Sequence, residues 1–134
     1  MNRMKVENVM SNTYVVVDGL MTVAEGILLA KQKQVKELII KKRHDNDEYG
    51  IVLLSDIAKK VLMQNRSAER TNIYEIMTKP VLSVSPDMNI KYCARLFERF
   101  GISRAPVIRH GEIIGMVSYN NIVLNGWQSL DIDK

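Results

Sequence analysis

Val9-Met10, followed further on by Gly50-Ile51-Val52, comes back in the second half of the chain as Ile76-Met77 and Gly115-Met116-Val117. Met10 and Met77 stand 67 positions apart, and Val17/Val84, Met21/Met88 and Leu29/Leu96 keep that offset. Gly50/Gly115, Val52/Val117 and Ile57/Ile122 match at an offset of 65, so the first copy has two extra residues in a turn. A unit this long, stated twice, predicts a pseudo-symmetric pair. One small sheet leaves an apolar face naked, and a second copy buries it. Two related clefts are then expected, and the places where the copies differ distinguish them.

The bulk properties bound this reading. The 134 residues suit one compact domain or two intimately packed half-size ones. A hydrophobic content of 46% with 25% charged residues is ordinary for a globular protein. No apolar run approaches the roughly 20 residues needed to span a bilayer. Met1-Asn2-Arg3-Met4-Lys5 leads into no apolar signal core. A cytoplasmic protein that engages no membrane is expected. The net charge of +4 mildly favours anionic partners, but no block of basic residues resembles a nucleic-acid arm, and nucleic acid is not an expected partner. Lys41-Lys42-Arg43-His44 is the densest basic stretch. It lies beside Asp45, Asp47 and Glu48, which is the pattern of a solvated turn. The single Cys93 excludes an intrachain disulfide and a CxxC metal pair, and its apolar helical neighbours mark it as a small core residue.

Each copy predicts the order β-α-β-β-α after a short helical turn. Val6, Val9 and Met10 mark that turn in the first copy; Ile73, Ile76 and Met77 mark it in the second, with Asn72 as N-cap. An extended stretch follows, Tyr14-Val15-Val16-Val17 or Val81-Leu82-Ser83-Val84, the latter bracketed by Pro80 and Pro86. Thr22-Val23-Ala24-Glu25 is a capping box that opens a helix with Val23, Ile27 and Ala30 on one face. In the second copy Asn89 is the cap, Ile90, Ala94 and Phe97 repeat the face, and Gly101 supplies the left-handed end. Leu38-Ile39-Ile40 should pair with Ile51-Val52-Leu53 across the turn at His44 to Glu48. Ala105-Pro106-Val107-Ile108 should pair with Ile113 to Val117 across His110-Gly111. A last helix begins near Ser55 or Ser118, and the polar segment Gln64 to Thr71 links the copies.

Three groups of residues carry a family resemblance: Ile76-Met77-Thr78, then Gly101-Ile102-Ser103-Arg104-Ala105-Pro106-Val107, then Gly115-Met116-Val117-Ser118 with Asn121. The first copy keeps Val9-Met10-Ser11 and Gly50-Ile51-Val52 with Asp56-Ile57. In this order the chain resembles a tandem CBS domain pair, the Bateman module named after cystathionine β-synthase, over residues 4–126. The resemblance implies an α+β fold of two pseudo-twofold-related CBS repeats packed sheet to sheet, residues 1–66 and 67–134, in a small stand-alone protein. It also implies a regulator rather than an enzyme. Such a module binds an adenosine-containing ligand, an adenine nucleotide or a compound like S-adenosylmethionine, requires no cofactor, forms a homodimer and signals to a downstream protein. The dimer surface is expected on the helical faces around Ile27, Ala30, Ala94 and Phe97, unless those faces are intrachain core.

The resemblance further implies that each cleft draws on both repeats. One supplies an acid at the start of its last helix for the ribose diol. The other supplies its opening segment and second strand for the base and phosphates. The first cleft then takes Ser55 and Asp56 with Thr78, Lys79, Ile102, Ser103, Arg104 and Pro106. Leu53 stands where the family has Ser or Thr. The second takes Ser118 and Asn121 with Ser11, Asn12, Val35, Lys36 and Glu37. There Asn121 replaces the acid, Glu37 stands where Arg104 stands in the other copy, and Ile39 replaces the proline. Phosphorylated ligands should therefore favour the first cleft.

Blander roles compete for the same residues. Asp56 and Asn121 lie where acids and amides satisfy free helix N–H groups, Ser55 and Ser118 where N-caps sit, and Arg104 where a surface strand residue would. Asp45-Asn46-Asp47-Glu48-Tyr49-Gly50 has the outline of a calcium loop but is flanked by strands, and Tyr49 occupies a ligand position. His44 and His110 fall in turns with no metal-ligating neighbour, so no metal site is expected. The eight methionines mostly follow apolar periodicity as core, with Met10 and Met77 candidates to line the clefts. Trp127 is expected to pack on the domain or on a partner subunit. No nucleophile elbow, P-loop, Cys-His pair or dinucleotide fingerprint occurs.

Overall fold

The computed structural model describes residues 4–131 and divides into two compact units. Tyr14–Val81 forms one of them; the stretch through Thr13 together with the stretch from Leu82 onward forms the other. The repeats of the sequence, 1–66 and 67–134, are therefore not the spatial units. Each unit takes the opening segment of the other repeat.

In Tyr14–Val81, β1 (Val16–Val17) runs parallel to β2 (Glu37–Ile40), and β2 runs antiparallel to β3 (Gly50–Leu53) with Leu38 opposite Val52 and Ile39 opposite Ile51. Helix α2 (Val23–Lys33) connects β1 to β2. Its capping box is closed: the Glu25 N–H donates to Thr22 Oγ1 at 3.1 Å, and the Thr22 N–H donates to Glu25 Oε1 at 2.9 Å. Gln34 ends it in the left-handed region at φ 56°. Helix α3 (Leu54–Ile57) starts one residue before Ser55 and continues as a π-helical turn, Ala58–Leu62. Val23, Ala30, Leu38, Ile40, Val52, Ile57 and Val61 form the core, and Ile73 and Ile76 complete it from the second repeat's opening turn. Asn72 stands at the N-cap of that 3-10 turn (Ile73–Glu75), but its side-chain amide donates to the Leu20 carbonyl at 2.8 Å. Glu75 instead closes the turn by accepting the Asn72 N–H at 2.8 Å.

In the other unit, β4 (Arg104–Arg109) and β5 (Glu112–Ser118) form an antiparallel hairpin whose register shifts after Val107, one extra residue being accommodated as a bulge. The predicted strand at Val81–Val84 reduces to a single parallel bridge, Val84 to Val107. Pro86 lies two residues on and has no N–H to extend the ladder, and its carbonyl accepts the Glu7 N–H at 3.0 Å. Helices α1 (Val6–Val9), α4 (Ile90–Phe100) and α5 (Tyr119–Asp131) cover the hairpin. Asn89 caps α4 through the Lys91 N–H at 2.8 Å, and Gly101 ends it at φ 65°. Val6, Val9, Ile90, Cys93, Phe97, Val107, Val117 and Ile122 form this core. Phe97 packs edge-to-face on Tyr119 at 5.3 Å.

The helical faces expected at a dimer surface are core. Ala30 and Phe97 are buried, and Ile27 and Ala94 pack against them. Exposed apolar side chains on these helices and on α5 include Leu28 on α2, Tyr92 and Phe100 on α4, and Leu124 and Trp127 on α5.

Candidate functional site

In Tyr14–Val81 the hairpin ladder and the first turn of α3 assemble the predicted acid with its surroundings. Asp56 is half-buried, and its Oδ2 accepts the Leu53 N–H at 2.8 Å. Leu53 has no side-chain oxygen, so this carboxylate does the capping from the third position of the turn. One oxygen thus has a structural duty, while a carboxylate still has acceptor capacity on the other. Ser55 is exposed beside it. Glu37 lies opposite Leu53 in the ladder and is buried, and the Lys36 carbonyl accepts the Leu54 N–H at 3.0 Å. Val35 is buried next to them.

The second repeat's opening segment adds a further edge to this sheet. Thr78 and Ile51 exchange both backbone hydrogen bonds, at 2.9 and 3.0 Å. Beyond Thr78 the segment runs away from Asp56, and the Val81 N–H donates to the Tyr49 carbonyl at 3.1 Å. Lys79 therefore ends at the turn of the hairpin, where its ammonium pairs with Asp47 at 2.8 Å. Asp47 also accepts from Arg43, through Nε at 3.0 Å and through the backbone N–H at 2.8 Å. These bonds, from Arg43 first and then from Lys79, hold the Asp47 carboxyl far below the usual carboxylate range.

The other unit repeats the arrangement with different chemistry. The Asn121 Oδ1 accepts from the Ser118 N–H at 3.0 Å and from the Ser118 hydroxyl at 3.1 Å, while the Asn121 N–H donates back to Ser118 Oγ at 3.2 Å. The amide oxygen is thus engaged twice, and what Asn121 has left to offer is its NH2 donors. Asp56 offers only acceptors. The first repeat's opening segment lies on β5: Ser11 and Met116 exchange backbone hydrogen bonds at 2.8 and 2.9 Å. Across the same ladder Pro106 faces Met116 and Arg104 faces Ser118. The Ser103 carbonyl accepts the Tyr119 N–H at 3.1 Å. Asn12 and Ser103 are exposed, and Ile102 packs against the core.

The predicted site residues thus divide by unit. Ser55, Asp56, Thr78, Lys79, Val35, Lys36 and Glu37 fall on one; Ser11, Asn12, Ile102, Ser103, Arg104, Pro106, Ser118 and Asn121 fall on the other. Each opening segment joins the unit that carries the acid or amide expected to share its cleft. Sequence reasoning missed Asp47 as an ion-pair hub. Its spacing from Arg43 was a visible signal, but Lys79 lies 32 residues away. Among the described residues no cluster of three metal-ligating side chains occurs, and His44 and His110 are exposed. No helix among them is long and apolar enough to cross a membrane.

A sequence profile of the CBS domain matches residues 73–125. A hexameric CBS-CP12 protein from bloom-forming cyanobacteria is 34% identical and superposes with a TM-score of 0.91, covering 98% of this chain and 76% of that one. The chain belongs to the CBS domain family. A second CBS pair, that of protein MJ0100 in complex with 5'-methylthioadenosine and S-adenosyl-L-methionine, is 25% identical with a TM-score of 0.81 over 95% of this chain and 99% of that one. A homoserine O-acetyltransferase of Methanococcus vannielii is 29% identical over 118 residues, which is 87% of this CBS pair but 24% of the enzyme. The chain therefore spans about a quarter of that relative's length. As in the sequence, the CBS pair's two repeats share scaffold and differ at Asp56/Asn121 and Glu37/Arg104.

Proposed function

We propose that this CBS pair is a regulatory ligand-sensing module for an adenosine-containing ligand and that Asp56 is its ribose acceptor. One observation carries the reading: Asp56 spends Oδ2 on the Leu53 N–H, keeping acceptor capacity for a diol, whereas Asn121 spends its single side-chain oxygen on Ser118. Ribose hydroxyls need acceptors. The pairing of Thr78 with Ile51, which brings the second opening segment onto the sheet that precedes Asp56, supports the same assignment. So does the adenosyl chemistry of the compounds bound by the MJ0100 pair. Ligand would act by favouring one of two arrangements through differential affinity, and a homodimer would transmit the change to a downstream protein.

A thermal-shift and calorimetric screen against AMP, ADP, ATP, S-adenosylmethionine and NAD tests this. A ligand at ~100 times its dissociation constant stabilises by ~2.7 kcal/mol. Asp56→Ala is expected to abolish the shift with nucleotides, and Asn121→Ala to leave it. The reverse pattern overturns the assignment. The exposed Tyr92, Phe100, Leu124 and Trp127, together with the hexameric state of the cyanobacterial relative, favour one alternative: a ligand-free dimerisation and protein-interaction scaffold. That reading predicts no shift with any compound.

A further inference from the structure

A cavity of about 660 Å³ opens on Tyr14–Val81 away from Asp56. It lies at the Ile40/Gly50 end of the β2–β3 ladder, whereas Asp56 follows the Leu53 end. Three strand residues, roughly 10 Å, separate the two ends. Its volume falls within the range of small-molecule sites.

Two kinds of surface meet in it. Ile40 and Met77 are apolar and withdrawn, while Leu20 (72% exposed) and Tyr74 (49% exposed) stand open to solvent. Around these lie the cationic groups of Lys41, Arg43 and Lys79. Acids in reach do not balance them. Lys41 pairs with Asp18 at 3.2 Å, but Arg43 and Lys79 share the one carboxylate of Asp47. Arg43 turns one edge toward it, Nε at 3.0 Å to Oδ2 and Nη2 at 3.5 Å to Oδ1, and its side chain remains 75% exposed. A guanidinium held by one edge keeps N–H donors for a second anion and is already oriented to receive it. Lys79, only 21% exposed, is fixed by the same carboxylate. Cations arranged around an apolar surface are the complement of an anion that carries an apolar body.

We propose that this cavity is a separate ligand site for a small amphiphilic anion, a phosphate or carboxylate borne on an apolar ring. The ring lies on Tyr74 and Leu20, and the anion meets the Arg43 guanidinium with Lys41 and Lys79 beside it. The site is independent of the adenosyl reading above.

Titration of the full chain with 1-naphthyl phosphate, by calorimetry and by backbone amide shifts, tests the proposal, with 1-naphthol as the neutral control. Shifts at Leu20, Lys41 and Tyr74 are expected, with the phosphate binding at least about tenfold more tightly than the naphthol. Arg43→Gln should weaken it about tenfold, which corresponds to about 1.4 kcal/mol. Leu20→Ser, at an exposed position, should weaken both compounds while leaving the thermal midpoint of the unliganded protein in place. Asp56→Ala should leave the affinity for 1-naphthyl phosphate unchanged. No binding, equal binding of phosphate and naphthol, indifference to Arg43→Gln, or loss on Asp56→Ala each overturns the proposal.

Discussion

At the scale of single residues, the repeated glycines and methionines are one device used twice. A Cβ on Gly50 would meet Met77 Sδ at 2.7 Å, and a Cβ on Gly115 would meet Met10 Sδ at 2.8 Å. Each glycine makes room for the opening methionine that crosses to its sheet: Met10 packs on Gly115 and Met77 on Gly50, and Met77 also lines the cavity beside Ile40. The two sites differ in what else is near. Gly115 also faces the Ser11 carbonyl oxygen at 2.8 Å, whereas the nearest backbone at Gly50 is Thr78 O at 3.4 Å. A thioether end can swing aside; a hydrogen-bonded backbone cannot. Gly115→Ala is therefore expected to destabilise by about 2–3 kcal/mol and Gly50→Ala by about 1 kcal/mol or less, read from urea unfolding. Cys93 offers a second check. It is fully buried, and burial pushes its thiol up to about 11. At pH 8 the native thiol should react with Ellman's reagent only at the rate of unfolding, and at the free-thiol rate once urea exposes it.

Elements carry the next level of the design, and most of their boundaries were legible because caps and periodicity are local. The Thr22–Glu25 box, the Asn89 cap and the Gly101 terminus involve groups a few residues apart, so a short window of sequence contains the whole interaction. The same logic exposes a weak point. Gln34 stands where the second copy has Gly101 and adopts φ 56°, so its Cβ is held in the region glycine tolerates best. Gln34→Gly should stabilise by about 0.5–1 kcal/mol, visible as a higher thermal midpoint. The β2–β3 turn is pinned by the pairs of Asp47 with Arg43 and Lys79. Because the native Asp47 carboxyl is held below its unfolded value, its contribution is complete above the unfolded pKa and declines as pH falls toward the native one. The stability difference between the protein and Asp47→Asn should thus be constant above about pH 5 and shrink only below about pH 4. A difference that disappears near pH 6 would contradict this. What local reading missed was long-range. The extended stretch at Val84 finds only one bridge, and Asn72 gives its amide to Leu20, 52 residues away, rather than to its own turn.

The whole molecule is organised by an exchange that the repeat does not announce. Ile73 and Ile76 belong to the second repeat yet complete the core of Tyr14–Val81. Val6 and Val9 belong to the first repeat yet sit in the core built on β4 and β5. A fragment of residues 14–81 is therefore expected to unfold cooperatively in urea, though with the marginal stability of a small domain, while residues 1–66 should show no cooperative transition. The reverse order would mean that the repeat, not the exchanged unit, is the folding unit. The amino-acid sequence by itself determined the order of the elements, the helix ends, the hairpin partners and the chemical contrast of Asp56 with Asn121, because each depends on residue type and on spacing over a few positions. Only the tertiary structure decided which opening segment adds to which sheet, that Lys79 turns to Asp47, and that a cationic cavity lies at the far end of the β2–β3 ladder. The two sheet edges present nearly the same residues, so either could accept either opening segment on sequence grounds. The choice is made by how the connected chain closes in space, and residues distant along it become neighbours only then.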